Sequence, residues 1–468
     1  MPLAGAAIAT ARAAARTAVR VSEPAPHQGR RAAPPTAASR WRVAAAASGS
    51  AMPAPRAPVP PPILSNVPGT WAYDTMSRRV RDNILMRLFE ENDFDALGMA
   101  DAKAALHELS DELAAAGTSK LRHIKDDGGP DLDTWRQIME PHVGKTWLDA
   151  PWAVTEFYLY RRIMEALGYW AAPYDPFQAT KAAGLASAVP STEAIAQRLN
   201  ADAGLGGVED GWRLFIDTGL WGNRMDLSLW PAGSAGNAAE RFAEVLAASE
   251  AQLLADDLPA VMEVLRSAKA AGGRRMDIIV DNAGFELVTD LCLADYLLQS
   301  GAASSVVFQL KAHPTFVSDA LAKDLMDTLR HLAGLPRDER PECVAAAERW
   351  LGYVEEGRWV LTEDLFWVQP SPMWEMPEAL RAELAASALV FVKGDANYRR
   401  LLGDAHWPLD TPFPDVVSYS PAPVCALRTL KAELGCGMAP GRTAAAAAGD
   451  DQWMVNGRWG VIHFAPPQ

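Results

Sequence analysis

Three stretches of the chain place polar side chains directly after apolar runs. "MDIIVDN" closes on Asp281 and Asn282, "SSVVFQLK" leads through "AHPTFVSD" to Asp319, and "ALVFVKGDANYRR" closes on Lys393, Asp395, Asn397 and Arg399. Two carboxylates and an amide carbonyl are hard oxygen donors, suited to Mg²⁺ or Mn²⁺ with positions left for water and phosphate, and poorly suited to structural zinc. Gly284 lets the backbone approach a ligand closely, and a helix beginning near 283 would offer free N–H groups to an anion. A plainer reading makes Asp281 and Asn282 helix caps and Glu286 a first-turn partner of the helix dipole. Three converging polar strand ends are more than capping requires. Lys393, Arg399 and Lys431 are the candidate phosphate clamps, and His313, in an extended segment before Pro314, is assigned no role.

Other chemistries lack their signatures. The eight histidines show no HExxH spacing, and there is no GxGxxG loop after a strand, no Walker loop and no GxSxG elbow. The four cysteines, Cys292, Cys343, Cys425 and Cys436, lie far apart without CxxC spacing, as expected of buried reduced thiols. The formal net charge is −14, unevenly spread. Residues 1 to 73 hold eight arginines, no lysine and one acidic residue, Glu23, among Ala, Ser, Pro and Thr, the pattern of an organelle transit peptide. Taking eight from 44 basic and one from 58 acidic residues leaves 36 against 57, a net −21. Such a body is a poor partner for nucleic acid, though a bound cation can reverse the field inside one cleft. No apolar run approaches a membrane span. The Ala, Ser and Pro content of the leader favours the plastid stroma over the mitochondrion.

The elements that must position these residues follow from composition and period. Residues 1–62, including the Pro-rich "SGSAMPAPRAPVPPP", read as transit peptide and disordered linker, with the fold starting near 65. Over 65–205 apolar residues recur at three and four, as in "WAVTEFYLYRRIMEALGYW", giving a helical domain in which "PSTEAIAQRL" predicts a helix start at Ser191. From 210 to 468 apolar runs alternate with helical tracts: "WRLFID", "MDIIVD", "SSVVFQLK", "ALVFVK" and "PVCALRTLK" as strands, 236–271 and 318–333 as helices. That pattern predicts an α/β fold, a three-layer α/β/α core with a mostly parallel sheet. "TAAAAAGDD" (443–451) reads as a loop insertion, and "WMVNGRWGVIHF" as a hairpin turning at Asn456-Gly457. "LWGNRMDLSLW" (220–230) reads as a tryptophan-packed connection or a substrate contact.

Taken in order, "EFYLYRRI", "YDPF", "LWGNRMDLS", "DNAGFELVTDLCLADYLL", "FVSD", "KGDANYRRLLGD" and "RTLK" resemble the metal-dependent damage-control phosphatases, in the subfamily of sugar phosphate phosphatases, over about 70 to 464. The resemblance implies a helical N-terminal domain on an α/β/α core and one divalent ion, manganese or nickel, with cobalt or magnesium as further candidates. By that analogy Asp281, Asn282 and Asp319 hold the metal. Asp395, Ala396, Asn397, Tyr398, Arg399 and Lys431 bind the phosphosugar together with Asp281 and Asn282, and Glu286 sits beside the metal water. The implied reaction is hydrolysis of sugar phosphate monoesters such as fructose 1-phosphate, with Asp281, Asp319 and Glu286 at the chemistry. Relatives are also described as S-adenosylmethionine-dependent protein carboxyl methyltransferases, and a non-catalytic phosphosugar sensor would carry the same site. Thr315 and Ala396 depart from the family pattern, which bears on substrate preference.

Overall fold

The computed structural model describes residues 53–201, 207–229 and 251–467. Seven strands form one sheet: β1 (Leu253–Asp256), β2 (Arg274–Ile279), β3 (Ala303–Lys311), β4 (Trp359–Asp364), β5 (Val390–Lys393), β6 (Val424–Thr429) and β7 (Gly460–Ala465). Their order is β1-β7-β6-β5-β2-β3-β4, with every neighbouring pair parallel except β6 and β7. The chain runs β2 to β3 to β4 toward one edge, then returns to lay β5 and β6 on the other side of β2. The reversal opens a crevice at the carboxyl ends of β2 and β5, where open α/β sheets bind ligands.

Both faces of the sheet are buried, which is why its strands read as continuous apolar runs. Ile279, Val390, Val392, Val424 and Ala426 join one core, while Ile278, Val280, Phe391, Cys425 and Leu427 join the other, the alternation that a two-residue side-chain period imposes. Helices follow in chain order: α1 over 71–91, α2 (Ala100–Ala114), α3 (Leu132–Met139), α4 (Trp152–Leu167), α5 (Gln178–Asn200), α6 (Val208–Leu229), α7 (Leu258–Ala270), α8 (Phe285–Gln299), α9 (Ala322–Ala333), α10 (Pro341–Glu355), α11 (Glu378–Leu384) and α12 (Asp395–Leu401). Side chains of α1, α2, α4, α11 and α12 fill the first core, and side chains of α5 to α10 fill the second. The helical N-terminal region thus supplies part of a layer of the α/β/α stack.

Several elements differ from the sequence expectation. "WRLFID" is not a strand but lies in α6, with Trp212, Phe215, Ile216 and Leu220 buried at helical spacing. "LWGNRMDLSL" continues that helix rather than forming a connection. Ser191 does not cap a helix start: α5 runs straight through Pro190, and Ser191 is buried within it. Residues 443–451 are not a loop insertion, because Pro440–Gly449 is helical. The expected hairpin is a turn at Asn456-Gly457 leading into β7, which pairs with β6 and β1. Of the tract 236–271, residues 230–250 lie outside the described residues, Leu253–Asp256 is β1, and the helix is Leu258–Ala270. The four cysteines are free and buried, as expected. No helix among the described residues is long and apolar enough to cross a membrane.

The Pro-rich stretch expected as linker is built into the fold from residue 53. The Arg56 amide donates to Ser418 Oγ (2.8 Å) and its side chain pairs with Asp415 (3.0 Å). Pro62 bridges to Ala405, the Ile63 amide donates to the Asp404 carbonyl (2.9 Å), and the Trp152 amide donates to the Ile63 carbonyl (2.8 Å).

Candidate active site

The crevice at the carboxyl ends of the strands opens into a cavity of about 490 Å³. Asp281, Asn282, Asp319, Asp395, Ala396, Arg399 and Lys431 line it, so most of the residues singled out from sequence meet in one place although they follow four different strands. Glu156 and Trp152 from α4, Phe316 from the loop after β3, Trp71, Thr75, Arg79, Val80, Asn83 and Ile84 from α1, and Val455 and Asn456 before β7 form the rest of the wall.

Backbone pairing brings the acidic end together. The Ala320 amide donates to the Asp281 carbonyl (2.8 Å), the Ala283 amide donates to the Ser318 carbonyl (2.7 Å), and Asn282 and Asp319 form an antiparallel bridge. The loop reaches this pairing through Phe316 (φ 45°) and Val317 (φ 67°). A β-branched residue in the left-handed region is costly, and such strain persists where the surroundings over-determine it, as here beside the cavity. Gly394 closes β5 opposite Asp281, at φ 82° and ψ 175°, and a Cβ there would lie 1.9 Å from Asp281 Oδ2. Only glycine lets the two strand ends approach with the carboxylate in place.

Burial and mutual repulsion define the electrostatics of this corner. The Asp281 carboxyl is held well above the usual carboxylate range, first by burial and then by Asp319 and Glu286. Asp319 is pushed up to about 6, again by burial first, with Lys311 opposing at 3.3 Å. That contact is an ion pair between Lys311 Nζ and Asp319 Oδ2, which accepts no other hydrogen bond among the described residues. Asn282 Nδ2 donates to Asp281 Oδ2 (2.8 Å) and Glu286 Oε2 (3.0 Å), while its carbonyl accepts from Ser318 Oγ (2.6 Å). Two buried carboxylates that disfavour shared ionisation, plus an adjacent amide, form a hard-oxygen set that fits a divalent cation. Turning the Asn282 amide over would aim its oxygen at Asp281 and Glu286, an arrangement that a cation between them would favour.

The remaining expected residues differ in whether they face the cavity and what they bond. Asp395 and Ala396 face the cavity, and Asp395 Oδ1 accepts from Arg428 Nε (2.7 Å) and the Lys431 amide (3.2 Å), which fixes the start of α12 against the end of β6. The Lys431 side chain has no partner among the described residues and acts to lower the Asp281 pKa, against burial, Asp319 and Glu286, which raise it. Arg399 faces the cavity but is committed: Nη1 donates to Glu156 (2.5 Å), Nε donates to Asp404 (2.7 Å), and its guanidinium stacks 3.6 Å over the Trp152 ring. Burial would lower its pKa, yet the two carboxylates outweigh burial and raise it. Glu156 is raised by burial, with Arg399 opposing.

Lys393, Asn397 and Tyr398 do not reach the cavity, and Glu286 stands behind its wall, linked to it through Asn282. Lys393 is buried against Asp290 (2.7 Å) and the Gly219 carbonyl. Asn397 accepts from Lys311 Nζ (2.8 Å) and donates to the carbonyls of Val280 (3.1 Å) and Lys393 (2.8 Å), so it joins β2, β3 and β5 behind the site. Tyr398 OH meets His463 Nδ1 (3.2 Å), with Arg428 over its ring at 4.5 Å. Sequence reasoning missed Glu156, Lys311 and Arg79. A glutamate in the apolar first half of a helix was the available signal for Glu156; Lys311 and Arg79 carried none.

A cavity at a sheet switch point, acidic at one end and cationic beside it, has the layout of a phosphoester-cleaving enzyme. Residues 74–446 match the damage-control phosphatase ARMT1-like domain. Damage-control phosphatase ARMT1 of Rattus norvegicus is 34% identical over 359 residues, covering 72% of this chain and 81% of the relative. That of Homo sapiens is 33% identical over 365 residues, with 72% and 81% covered, and that of Xenopus laevis is 31% identical over 443 residues, with 87% and 99% covered. A solved DUF89 family protein of Pyrococcus horikoshii superposes with a TM-score of 0.39 at 16% identity, over 66% of this chain and 87% of that chain, a likeness too weak to carry argument. The chain belongs to the damage-control phosphatase ARMT1-like family, and with it to the phosphoric monoester hydrolases.

Proposed function

We propose that the chain hydrolyses sugar phosphate monoesters of the fructose 1-phosphate type, dependent on one divalent cation held by Asp281, Asn282 and Asp319. Mn²⁺ or Ni²⁺ is the favoured ion, with Co²⁺ or Mg²⁺ able to fill the same oxygen set. The bound ion would supply charge neutralisation at the phosphoryl group and acidify the attacking water. Lys431 takes a phosphate oxygen, being a cavity cation with no protein partner among the described residues. Glu286 is the carboxylate left over for the water's proton, since Asn282 engages only its Oε2. Arg399, neutralised by Glu156 and Asp404, is a preorganised hydrogen-bonding wall for the sugar. The observation that carries this reading is the backbone bridge that seats Asn282 and Asp319 together at the acidic end of the cavity.

The test is phosphate release from a panel of sugar phosphates with each of the four ions and after chelation. Wild type is expected to turn over at least one substrate only when metal is present, and Asp281→Ala to lose activity below detection while keeping its melting temperature within a few degrees. Metal-independent turnover, or full activity in Asp281→Ala, would reject the proposal. We also propose the plastid stroma as the destination set by the arginine-rich leader, checked by imaging a fluorescent fusion of residues 1–70; a mitochondrial signal would overturn it.

A further inference from the structure

Of the three cations lining the cavity, Arg399 already serves two carboxylates, and the sequence candidate Lys393 is spent on Asp290. Four carboxylates line the same space, Glu156, Asp281, Asp319 and Asp395. Even with a dication bound, a doubly charged phosphoester entering this wall needs more positive charge than Lys431 alone provides. Arg79 is the remaining cation. It is half-buried, its guanidinium lies 3.8 Å over the Trp71 ring, and Nη1 donates to Thr75 Oγ1 (3.4 Å). Among the described residues it has no carboxylate partner. A cation left unpaired in an acid-rich cavity, with its plane fixed by stacking, is poised for an external anion.

The helix that delivers it is unusual in a way that serves the same end. α1 contains two consecutive π-turns, Thr75–Arg79 and Arg81–Leu85, where the Val80 amide bonds the Thr75 carbonyl and the Met86 amide bonds the Arg81 carbonyl. π-turns are rare and concentrate at functional sites. An α-helix advances about 100° per residue, so residues four apart drift by roughly 40° and Asn83 would stand about 120° away from Trp71. The wider turns rotate less per residue and keep Trp71, Thr75, Arg79 and Asn83 along the cavity wall, with Val80 and Ile84 beside them.

We propose that Arg79 is a substrate-binding residue that takes the phosphate group of the phosphomonoester jointly with Lys431, and that the π-turns exist to present it. The inference rests on the phosphatase reading above. The experiment compares wild type, Arg79→Ala and Arg79→Lys as Mn²⁺ holoenzymes, measuring kcat and KM for fructose 1-phosphate, the inhibition constant of inorganic phosphate, and phosphate binding by calorimetry, which needs no turnover. Losing one charge-assisted contact should raise KM and the phosphate constants of Arg79→Ala roughly ten- to hundredfold, with kcat within about threefold, and Arg79→Lys should recover most of the loss. Unchanged phosphate constants in Arg79→Ala overturn the inference while leaving the phosphatase reading intact, as does a lowered melting temperature with no change in those constants. A wild type that binds phosphate without turning over any ester refutes the parent reading alone, with calorimetry still deciding Arg79. A wild type that neither binds nor hydrolyses refutes both. Should Arg79→Ala fail to fold, Arg79→Gln carries the same comparison.

Discussion

At the scale of single residues the site depends on a position without a side chain. Gly394→Ala would put a methyl group into Asp281 and demand a backbone conformation that other residues scarcely adopt, costing about 1–3 kcal/mol before the clash is relieved. We expect Gly394→Ala to lose activity nearly as fully as Asp281→Ala and to bind Mn²⁺ at least tenfold more weakly by calorimetry; retained metal affinity would show that the carboxylate can be elsewhere. Lys393 gives the converse case. Lys393→Met leaves Asp290 buried without its partner and should cost roughly 3–5 kcal/mol in urea unfolding, while KM for sugar phosphate stays within about twofold. A large KM change would restore its sequence-based role as a clamp. The acidic corner was legible because strand ends with oxygen side chains carry their chemistry in their types. The split among "KGDANYR" was not: residues on a short helix point in different directions, and only the folded chain shows that Asp395, Ala396 and the buried Arg399 face the cavity while Asn397 and Tyr398 do not.

Elements decide where those residues meet. The α12 and α4 helices are joined through Asp404, whose Oδ1 accepts from Arg399 Nε and whose Oδ2 accepts from the Ala153 amide (2.9 Å) at the first turn of α4. Asp404→Ala therefore removes a helix cap and half of the counter-charge of a buried arginine. Its expected cost is about 3–5 kcal/mol by denaturant midpoint at unchanged m, with a raised KM because Glu156 and Arg399 lose their common brace. A mutant as stable as wild type would mean that the brace is dispensable. The strands β2, β3, β5 and β6 were readable as apolar runs. β1 and β4 were not, being short or edge-placed with mixed exposure. "WRLFID" misled because six residues are too few to separate a two-residue period from a helical one; the run up to Trp221 shows the helical stripe. The π-turns of α1 leave no sequence mark, since they arise from packing rather than propensity.

At the scale of the whole molecule, two cores share one sheet, and stability depends on groups remote from the cavity. His313 and His463 are both buried, and burial lowers their pKa values from 6.5 to about 4 and about 3. Their folded values lie below the unfolded one, so between them the unfolded chain binds more protons and stability falls as pH drops below about 6.5. From pH 6.5 to 5 each histidine should forfeit about 1.6 kcal/mol, and well below pH 6.5 His463→Gln should remove about 1.4 kcal/mol per pH unit from the slope of unfolding free energy against pH. An identical slope in the variant would assign the acid sensitivity elsewhere. The α/β/α architecture could be read from alternating strands and helices, whereas the inclusion of residues 53–64 could not, because proline-rich sequence signals an absence of helix and sheet without signalling an absence of packing. That segment limits how far the N-terminus can be trimmed. Because the Arg56 main chain and the Ile63 main chain are bonded to Ser418, Asp404 and Trp152, removing residues past Ile63 would unseat the first turn of the helix bearing Glu156 and loosen the wall beside the cavity.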